Sequence, residues 1–123
     1  MIEHLWSTPV LHEASPFTAD QLNELKTFTK ERFKNHKANP PEHSMPDVPV
    51  KLRTQLNLFL PEHERQAPPV WIEFKGWVDR TYRAYLQEAH GVRNASELDV
   101  LARCIPVCYQ KGMRAQPHYH HTG

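Results

Sequence analysis

One stretch decides the fold: residues 70–91, which read VWIEFKGWVDRTYRAYLQEAHG. Within it, five large apolar or aromatic residues follow one another at intervals of 3, 4, 4 and 3 positions. These residues are Trp71, Phe74, Val78, Tyr82 and Tyr85. Residues three and four apart lie on the same face of an α-helix, so the pattern predicts a helix near 70–90 whose aromatic face packs on a sheet. Gly91 stands where a glycine would end that helix.

A second helix is predicted upstream, near residues 18–36. Thr18 is the expected N-cap, and Gln21, three residues later, completes a capping box with it. The apolar residues of this segment fall near one face of the helix: Leu22, Leu25, Phe28 and Phe33. We expect the helix to end before Pro40, because the residue that precedes a proline disfavours helical backbone.

Three further segments have the features of β-strands. Residues 5–11 include Pro9, which confines a strand to the edge of a sheet. Residues 51–60 alternate, because leucine or threonine occupies every even position from Leu52 to Leu60. Residues 98–109 are rich in strand-forming side chains. The pattern therefore predicts an α+β fold in which two helices pack on a small antiparallel sheet.

The composition indicates a globular chain without a strongly charged partner. A chain of 123 residues suffices for one domain, 1–123, and 15 Lys+Arg against 14 Asp+Glu indicate no nucleic-acid partner. Neither a signal peptide nor an apolar run of about 18 residues is visible, so we expect a cytoplasmic protein without a membrane segment. Cys104 and Cys108 are expected to be reduced and to pack as small apolar residues rather than to bind metal.

A His-x-His pair is the segment that carries candidate chemistry. His118 and His120 are two residues apart, and side chains at that spacing point to the same face of a strand. Two imidazoles placed in this way can bind one divalent ion, and imidazole suits Fe(II), Zn, Cu or Ni. The alternative is that His118 and His120, in a chain that contains nine histidines, are solvated and bind nothing.

The spacing around this pair resembles that of a known enzyme family. Gly112, five further residues and then His118-Tyr119-His120 fit the opening of the cupin signature. The stretch from Tyr109 to His120 is similar to that of 2-oxoglutarate/Fe(II)-dependent oxygenases of bacteria and phages, in which a Lys-Gly turn precedes a His-x-His segment. The upstream order of strand, helix, strand and aromatic-rich helix, with Trp6 and Pro9 in the first strand, is also similar to that family.

The resemblance implies that the chain forms the opening part of a double-stranded β-helix, with His118 and His120 as metal ligands and with Fe(II) and 2-oxoglutarate as cofactors. It also implies a carboxylate ligand, a distal histidine and a basic residue, and the three residues after His120 in this sequence supply none of them. We therefore expect the N-terminal portion of such a protein, with an incomplete catalytic site. The alternative is a non-catalytic assembly or interaction protein of the same fold, such as a phage virion or tail-associated protein. In that case a protein partner or a homo-oligomer would complete the sheet.

Overall fold

The structure is a computed structural model of the chain, and it describes residues 1–5, 8–35, 56–106 and 111–112. Within these residues the chain is α+β, as predicted. Its elements are strands β1 (Ile2–Leu5) and β2 (Thr8–Leu11), helices α1 (Ala19–Asn35) and α2 (Pro69–His90), and two short 3-10 helices, Pro61–Gln66 and Ala95–Glu97. Both predicted α-helices are confirmed to within one residue at each end.

The two strands form an antiparallel hairpin, with His4 opposite Pro9. Met1 and His12 exchange two backbone hydrogen bonds, of 3.1 and 2.9 Å. Because bonded and non-bonded pairs alternate along an antiparallel ladder, Pro9 falls in a non-bonded pair, where its missing N–H removes no ladder bond. The prediction of an edge strand at Pro9 is confirmed. The prediction of one strand over 5–11 is wrong in its bounds, since Leu5 belongs to β1 and the second strand begins at Thr8.

Helix α1 begins with the predicted capping box. The Thr18 hydroxyl accepts the backbone N–H of Gln21 at 3.2 Å, and the Gln21 side-chain oxygen accepts the backbone N–H of Thr18 at 2.9 Å. Two backbone donors of the first turn are thereby satisfied. Along the predicted apolar face, Phe28 is buried, whereas Leu22 is 47% exposed.

Replacement of Thr18 with alanine should lower the free energy of unfolding by about 1 kcal/mol, because the first turn loses its capping acceptor. Thr27 provides the matched control, since it is exposed in the middle of the same helix. Thr27→Ala should leave stability unchanged or raise it slightly, because alanine is the better helix former. Urea denaturation followed by circular dichroism measures both, and equal effects of the two substitutions would contradict the capping role.

The core lies between the two helices and the turn at residues 56–59. Trp71 is 1% exposed, and its ring centroid lies 4.8 Å from that of Phe28 and 5.7 Å from that of Phe59. Phe74 and Val78 are packed against the same cluster, so this part of the aromatic stripe faces the core as predicted. Among the described residues, the rings that pack against Trp71 and Phe74 from outside α2 belong to Phe17, Phe28 and Phe59, none of which lies in a strand, so the expected packing of this part of the stripe on a sheet is not seen there.

The C-terminal half of the stripe departs from the core. Tyr82 is 46% exposed, and the Tyr85 hydroxyl donates to the backbone carbonyl of Pro9 at 3.5 Å. This end of α2 therefore reaches the hairpin through Tyr85. Gly91 ends the helix as predicted, with a left-handed φ of +66°. Its N–H donates to the Gln87 carbonyl at 3.1 Å, which satisfies a carbonyl of the last turn.

The predicted strand over 51–60 is wrong for its described part, residues 56–60, which form a turn. The Asn57 side-chain oxygen accepts the backbone N–H of Phe59 at 3.1 Å and bends the chain back on itself. Leu58 and Phe59 are consequently both buried, although they would lie on opposite faces of a strand. Residues 51–55 lie outside the described part of the chain.

The predicted strand over 98–109 is also wrong in its described part, because residues 98–106 pair in no β-ladder with another described segment. One backbone bond ties this segment to the turn: the N–H of Leu58 donates to the Cys104 carbonyl at 2.8 Å. Pro106 carries no N–H for a ladder, and the Leu98 carbonyl accepts a side-chain donor instead. Residues 107–109 lie outside the described part.

Candidate functional site

The two histidines of the predicted metal site, His118 and His120, lie outside the residues that the structure describes, so their role as ligands stays a prediction. The described residues nearest to them in sequence are Lys111 and Gly112, which form the expected turn. Gly112 has a φ of +85°, and no atom lies within 4 Å of the position that a Cβ would occupy there. Backbone conformation rather than crowding therefore favours glycine at this turn.

A groove of about 510 Å³ lies between the C-terminal half of α2 and the segment 98–103. Most of its lining is apolar: Val78, Tyr82, Leu86, Leu98, Val100, Leu101 and Ala102. Its charged residues are Asp79, Asp99 and Arg103. Leu101 is 83% exposed, so the groove is open to solvent. Such a surface suits binding through apolar contacts, with ion pairs at its charged residues.

The side chain of Arg83 holds the two walls of this groove together. Its Nε donates to the Asp79 carboxylate at 2.9 Å, one helical turn away on α2. Its Nη1 donates to the backbone carbonyl of Leu98 on the opposite wall, at 2.8 Å, and to that of Ala95, in the short 3-10 helix before this wall. The guanidinium is suited to this because its donors are held in one rigid plane. Sequence analysis missed Arg83, and the four-residue spacing from Asp79 was the available signal.

A smaller cavity of about 200 Å³ adjoins the groove and shares Asp79 with it. Phe59 and Lys75 line this cavity as well. The Lys75 ammonium donates to the Phe59 carbonyl and to the Glu64 carboxylate, both at 2.8 Å. Lys75 is thus engaged in holding the turn against α2, which is a structural role that sequence analysis did not assign.

Cys104 packs against the core cluster, as expected for a small apolar residue. Burial raises the pKa of its thiol above the ordinary value of 9.0, because the charged thiolate is less well solvated inside the protein. A raised pKa keeps the thiol protonated and weakly nucleophilic at neutral pH. Cys108 lies outside the described residues.

The Cys104 thiol should react slowly with iodoacetamide. In a Cys108→Ala background, alkylation at pH 8 should be at least about tenfold slower in the native protein than in urea, because burial limits both access and thiolate formation. Peptide mass spectrometry measures the rate.

The stability that the protonated thiol contributes should decline as pH rises above about 9, because the folded state binds this proton more tightly than the unfolded state. Cys104→Ser should remove that decline. For the alkylation experiment, equal rates in the native protein and in urea would contradict the burial of Cys104.

Within the described residues, no group of three or more His, Cys, Asp or Glu side chains could hold a metal ion. In the same part of the chain, no helix is long and apolar enough to cross a membrane. Comparison of the chain with protein-family models, curated proteins and solved structures finds no match.

Proposed function

We propose that this chain is the N-terminal part of an Fe(II)/2-oxoglutarate-dependent oxygenase-like protein of the double-stranded β-helix type, in which His118 and His120 are two of the metal ligands. One observation carries the proposal. The glycine that begins the Gly-x5-His-x-His spacing has a left-handed φ of +85° and lies in a turn, and a positive φ of this kind is typical of a residue at which a chain reverses. The spacing and this turn together support the resemblance to the oxygenase family, in which a Lys-Gly turn precedes the His-x-His segment.

The chemistry of the two side chains fits a non-haem iron site. Neutral imidazoles at positions i and i+2 of a strand present two nitrogen donors on one face. Two histidines and one carboxylate form the facial set that binds Fe(II) in such oxygenases, so the natural protein would supply the carboxylate from another segment. Bound Fe(II) would supply the oxidative chemistry, with 2-oxoglutarate as co-substrate. His118 and His120 would bind and orient the metal.

Metal titration of the natural full-length protein tests the proposal. Mn(II), a stand-in for Fe(II) that air does not oxidise, should bind the wild type at least about 100-fold more tightly than His118→Ala/His120→Ala, because two of its ligands are lost. Calorimetry measures the affinity. Binding should also weaken as pH falls below about 6.5, because protons compete with the metal for the imidazole nitrogens.

The matched control for that titration is His12→Ala/His90→Ala, which likewise removes two imidazoles. Both His12 and His90 are exposed. This variant should bind Mn(II) as the wild type does. The proposal would be wrong if the wild type and His118→Ala/His120→Ala bound Mn(II) equally.

A pair of glycine substitutions tests the observation that carries the proposal. Gly112→Ala should weaken Mn(II) binding several-fold, because a side chain at φ of +85° strains the turn that precedes the ligands. Gly91→Ala is the matched control, since Gly91 also has a positive φ, of +66°, but ends α2. It should lower stability without changing metal affinity. If Gly112→Ala and Gly91→Ala changed the Mn(II) affinity equally, the turn at Gly112 would have no specific role in metal binding.

A second candidate is the non-catalytic assembly or interaction protein of the same fold. The exposed apolar side chains around the groove favour it, because clustered exposed apolar residues mark interaction surfaces. These residues include Leu101 at 83%, Tyr82 at 46% and Leu98 at 37% exposure. The titration separates the two candidates, since an assembly protein without a metal site should show no difference between the wild type and His118→Ala/His120→Ala.

A further inference from the structure

The segment 99–105 alternates between exposed and partly buried side chains. Its odd positions, residues 99, 101, 103 and 105, are all exposed, and its even positions are partly buried. Two of the even residues, Ala102 and Cys104, pack against the core cluster. A period of two is that of a β-strand, in which successive side chains point to opposite faces. The segment therefore has the form of a strand, although it pairs in no ladder with another described segment.

The hydrogen bonds of this segment and of the residue before it use even positions. The N–H of Cys104 donates to the Asn57 side chain at 3.0 Å, and its carbonyl accepts the N–H of Leu58 at 2.8 Å. The Leu98 carbonyl accepts from Arg83 at 2.8 Å. The N–H and C=O of one strand residue point to the same edge, and successive residues alternate between edges. The odd residues therefore present theirs at the other edge, which no backbone–backbone hydrogen bond reaches within the described chain.

The exposed face of the segment carries opposite charges on the two sides of Leu101. Asp99 and Arg103 each lie two residues from Leu101, and neither forms an ion pair with another described residue. The Leu101 side chain is largely exposed. An open edge of this kind is a place where another strand can add. In an antiparallel copy the order is reversed, so acidic, apolar and basic residues meet basic, apolar and acidic ones.

We propose that the chain forms a homodimer in which the segments 99–105 of two copies pair antiparallel. With Leu101 on the two-fold axis, it faces the partner's Leu101, and Asp99 faces the partner's Arg103. These are odd positions, so the facing residues also exchange backbone hydrogen bonds through their open edges. Residues directly opposite each other in an antiparallel pair share a face of the sheet, where opposite charges stabilise the pairing. A second copy thus provides the ladder that the composition of 98–109 predicts.

Other registers of the same pairing lack this match. Moving the axis by one residue places Asp99 opposite the partner's Leu101 or the partner's Ile105, and moving it by two places like charges opposite each other. A shift of half a residue pairs an open-edge residue with one whose backbone groups face the protein. The acidic residue before the segment, Glu97, belongs to a 3-10 helix and lies outside the pairing. The charges and the open edge therefore agree on the register centred on Leu101.

Charge reversal with reciprocal rescue tests the dimer. The wild type should dimerise reversibly in sedimentation velocity over a range of concentrations. Asp99→Arg and Arg103→Asp should each raise the dimer Kd about 10- to 100-fold, because each makes every facing charge pair repulsive. An equimolar mixture of the two variants should form a heterodimer nearly as tight as the wild type, because every facing pair is again opposite in charge. The double variant Asp99→Arg/Arg103→Asp should dimerise alone for the same reason.

Glu88→Arg is the matched control, since it makes the same charge change as Asp99→Arg at an exposed position of α2. Glu88 comes two residues after Leu86, which lines the groove, and so lies on the opposite side of the helix. This variant should leave the dimer Kd within about threefold of the wild-type value. The dimer does not rest on the proposed metal site, so His118→Ala/His120→Ala should dimerise as the wild type does.

Hydrogen exchange tests the register. The amides of Asp99, Leu101 and Arg103 should exchange more slowly as the protein concentration rises, because the pairing adds hydrogen bonds to them. Those of Val100 and Ala102 should change less, because they face the protein. The proposal is overturned if the odd amides gain no protection, if the mixture of reversed variants fails to associate, or if the wild type stays monomeric up to about 1 mM. A monomer whose open edge binds only strands of another protein would equally overturn it.

Discussion

Trp71→Ala should lower the free energy of unfolding by about 3–5 kcal/mol, as expected for loss of a fully buried tryptophan side chain. Trp71 is 1% exposed, and its ring packs against those of Phe28, Phe59 and Phe74. Removal of the indole takes away the group that joins α1, α2 and the turn at 56–59. Urea denaturation followed by far-ultraviolet circular dichroism measures the change, because both helices report on this core.

Two substitutions control for this effect. Ile72→Ala changes the next residue of the same helix, where the side chain is 48% exposed, and should cost less than about 1 kcal/mol. Trp71→Phe should cost less than Trp71→Ala, because most of the ring volume is kept and the indole N–H has no hydrogen-bond partner among the described residues. A cost below about 1 kcal/mol for Trp71→Ala would contradict the assignment of this residue to the core.

The helices could be predicted from the sequence because their signals are local. The capping box of Thr18 and Gln21 and the left-handed Gly91 each act within a few residues, and both are present in the structure. The side of α2 that faces the core was equally readable from the spacing of Trp71, Phe74 and Val78. The elements that pack on that side of α2 could not be predicted, because they lie far away in sequence. Spacing within a helix shows that a face is buried but not against which element.

The strand predictions for 51–60 and 98–109 failed in their described parts because alternation and composition do not include a pairing partner. Residues 56–60 alternate as a strand would, yet the Asn57 side-chain oxygen accepts a hydrogen bond from the backbone N–H of Phe59 and stabilises a turn. Side chains of this type compete with ladder hydrogen bonds for backbone donors. Residues 98–106 have strand composition, but within the described chain the backbone–backbone hydrogen bond that reaches them is an isolated one, from the N–H of Leu58 to the Cys104 carbonyl. A ladder is a long-range feature, which local pattern cannot supply.

The candidate sites also differ in whether local sequence patterns could predict them. The metal ligands His118 and His120 were predicted from a local spacing, and they remain a prediction because they lie outside the described residues. The groove on α2 was not predicted. Its key residue, Arg83, shows one local partner, Asp79, at helical spacing, but its other acceptors are backbone carbonyls of a later segment. Backbone acceptors carry no sequence signature, so this part of the groove required the structure.

Asn57→Ala should lower the free energy of unfolding by about 2–3 kcal/mol, because two part-buried backbone donors lose their acceptor. The Asn57 side-chain oxygen accepts the N–H of Phe59 at 3.1 Å and the N–H of Cys104 at 3.0 Å. It therefore holds the turn at 56–60 and the segment 98–106 against each other. Urea denaturation measures the loss, and hydrogen exchange of the Phe59 and Cys104 amides should quicken before global unfolding.

Asn57→Asp separates the loss of the acceptor from the loss of the side chain. Aspartate keeps an oxygen in the same place and accepts hydrogen bonds from backbone N–H groups, so this variant should retain most of the wild-type stability at neutral pH. Asn94→Ala serves as the matched control, because Asn94 is exposed and its side chain caps no described helix. It should cost less than about 0.5 kcal/mol. If Asn57→Ala cost no more than this control, water would be satisfying both amides, and the turn and the segment 98–106 would be held together by the Leu58–Cys104 backbone bond and by core packing.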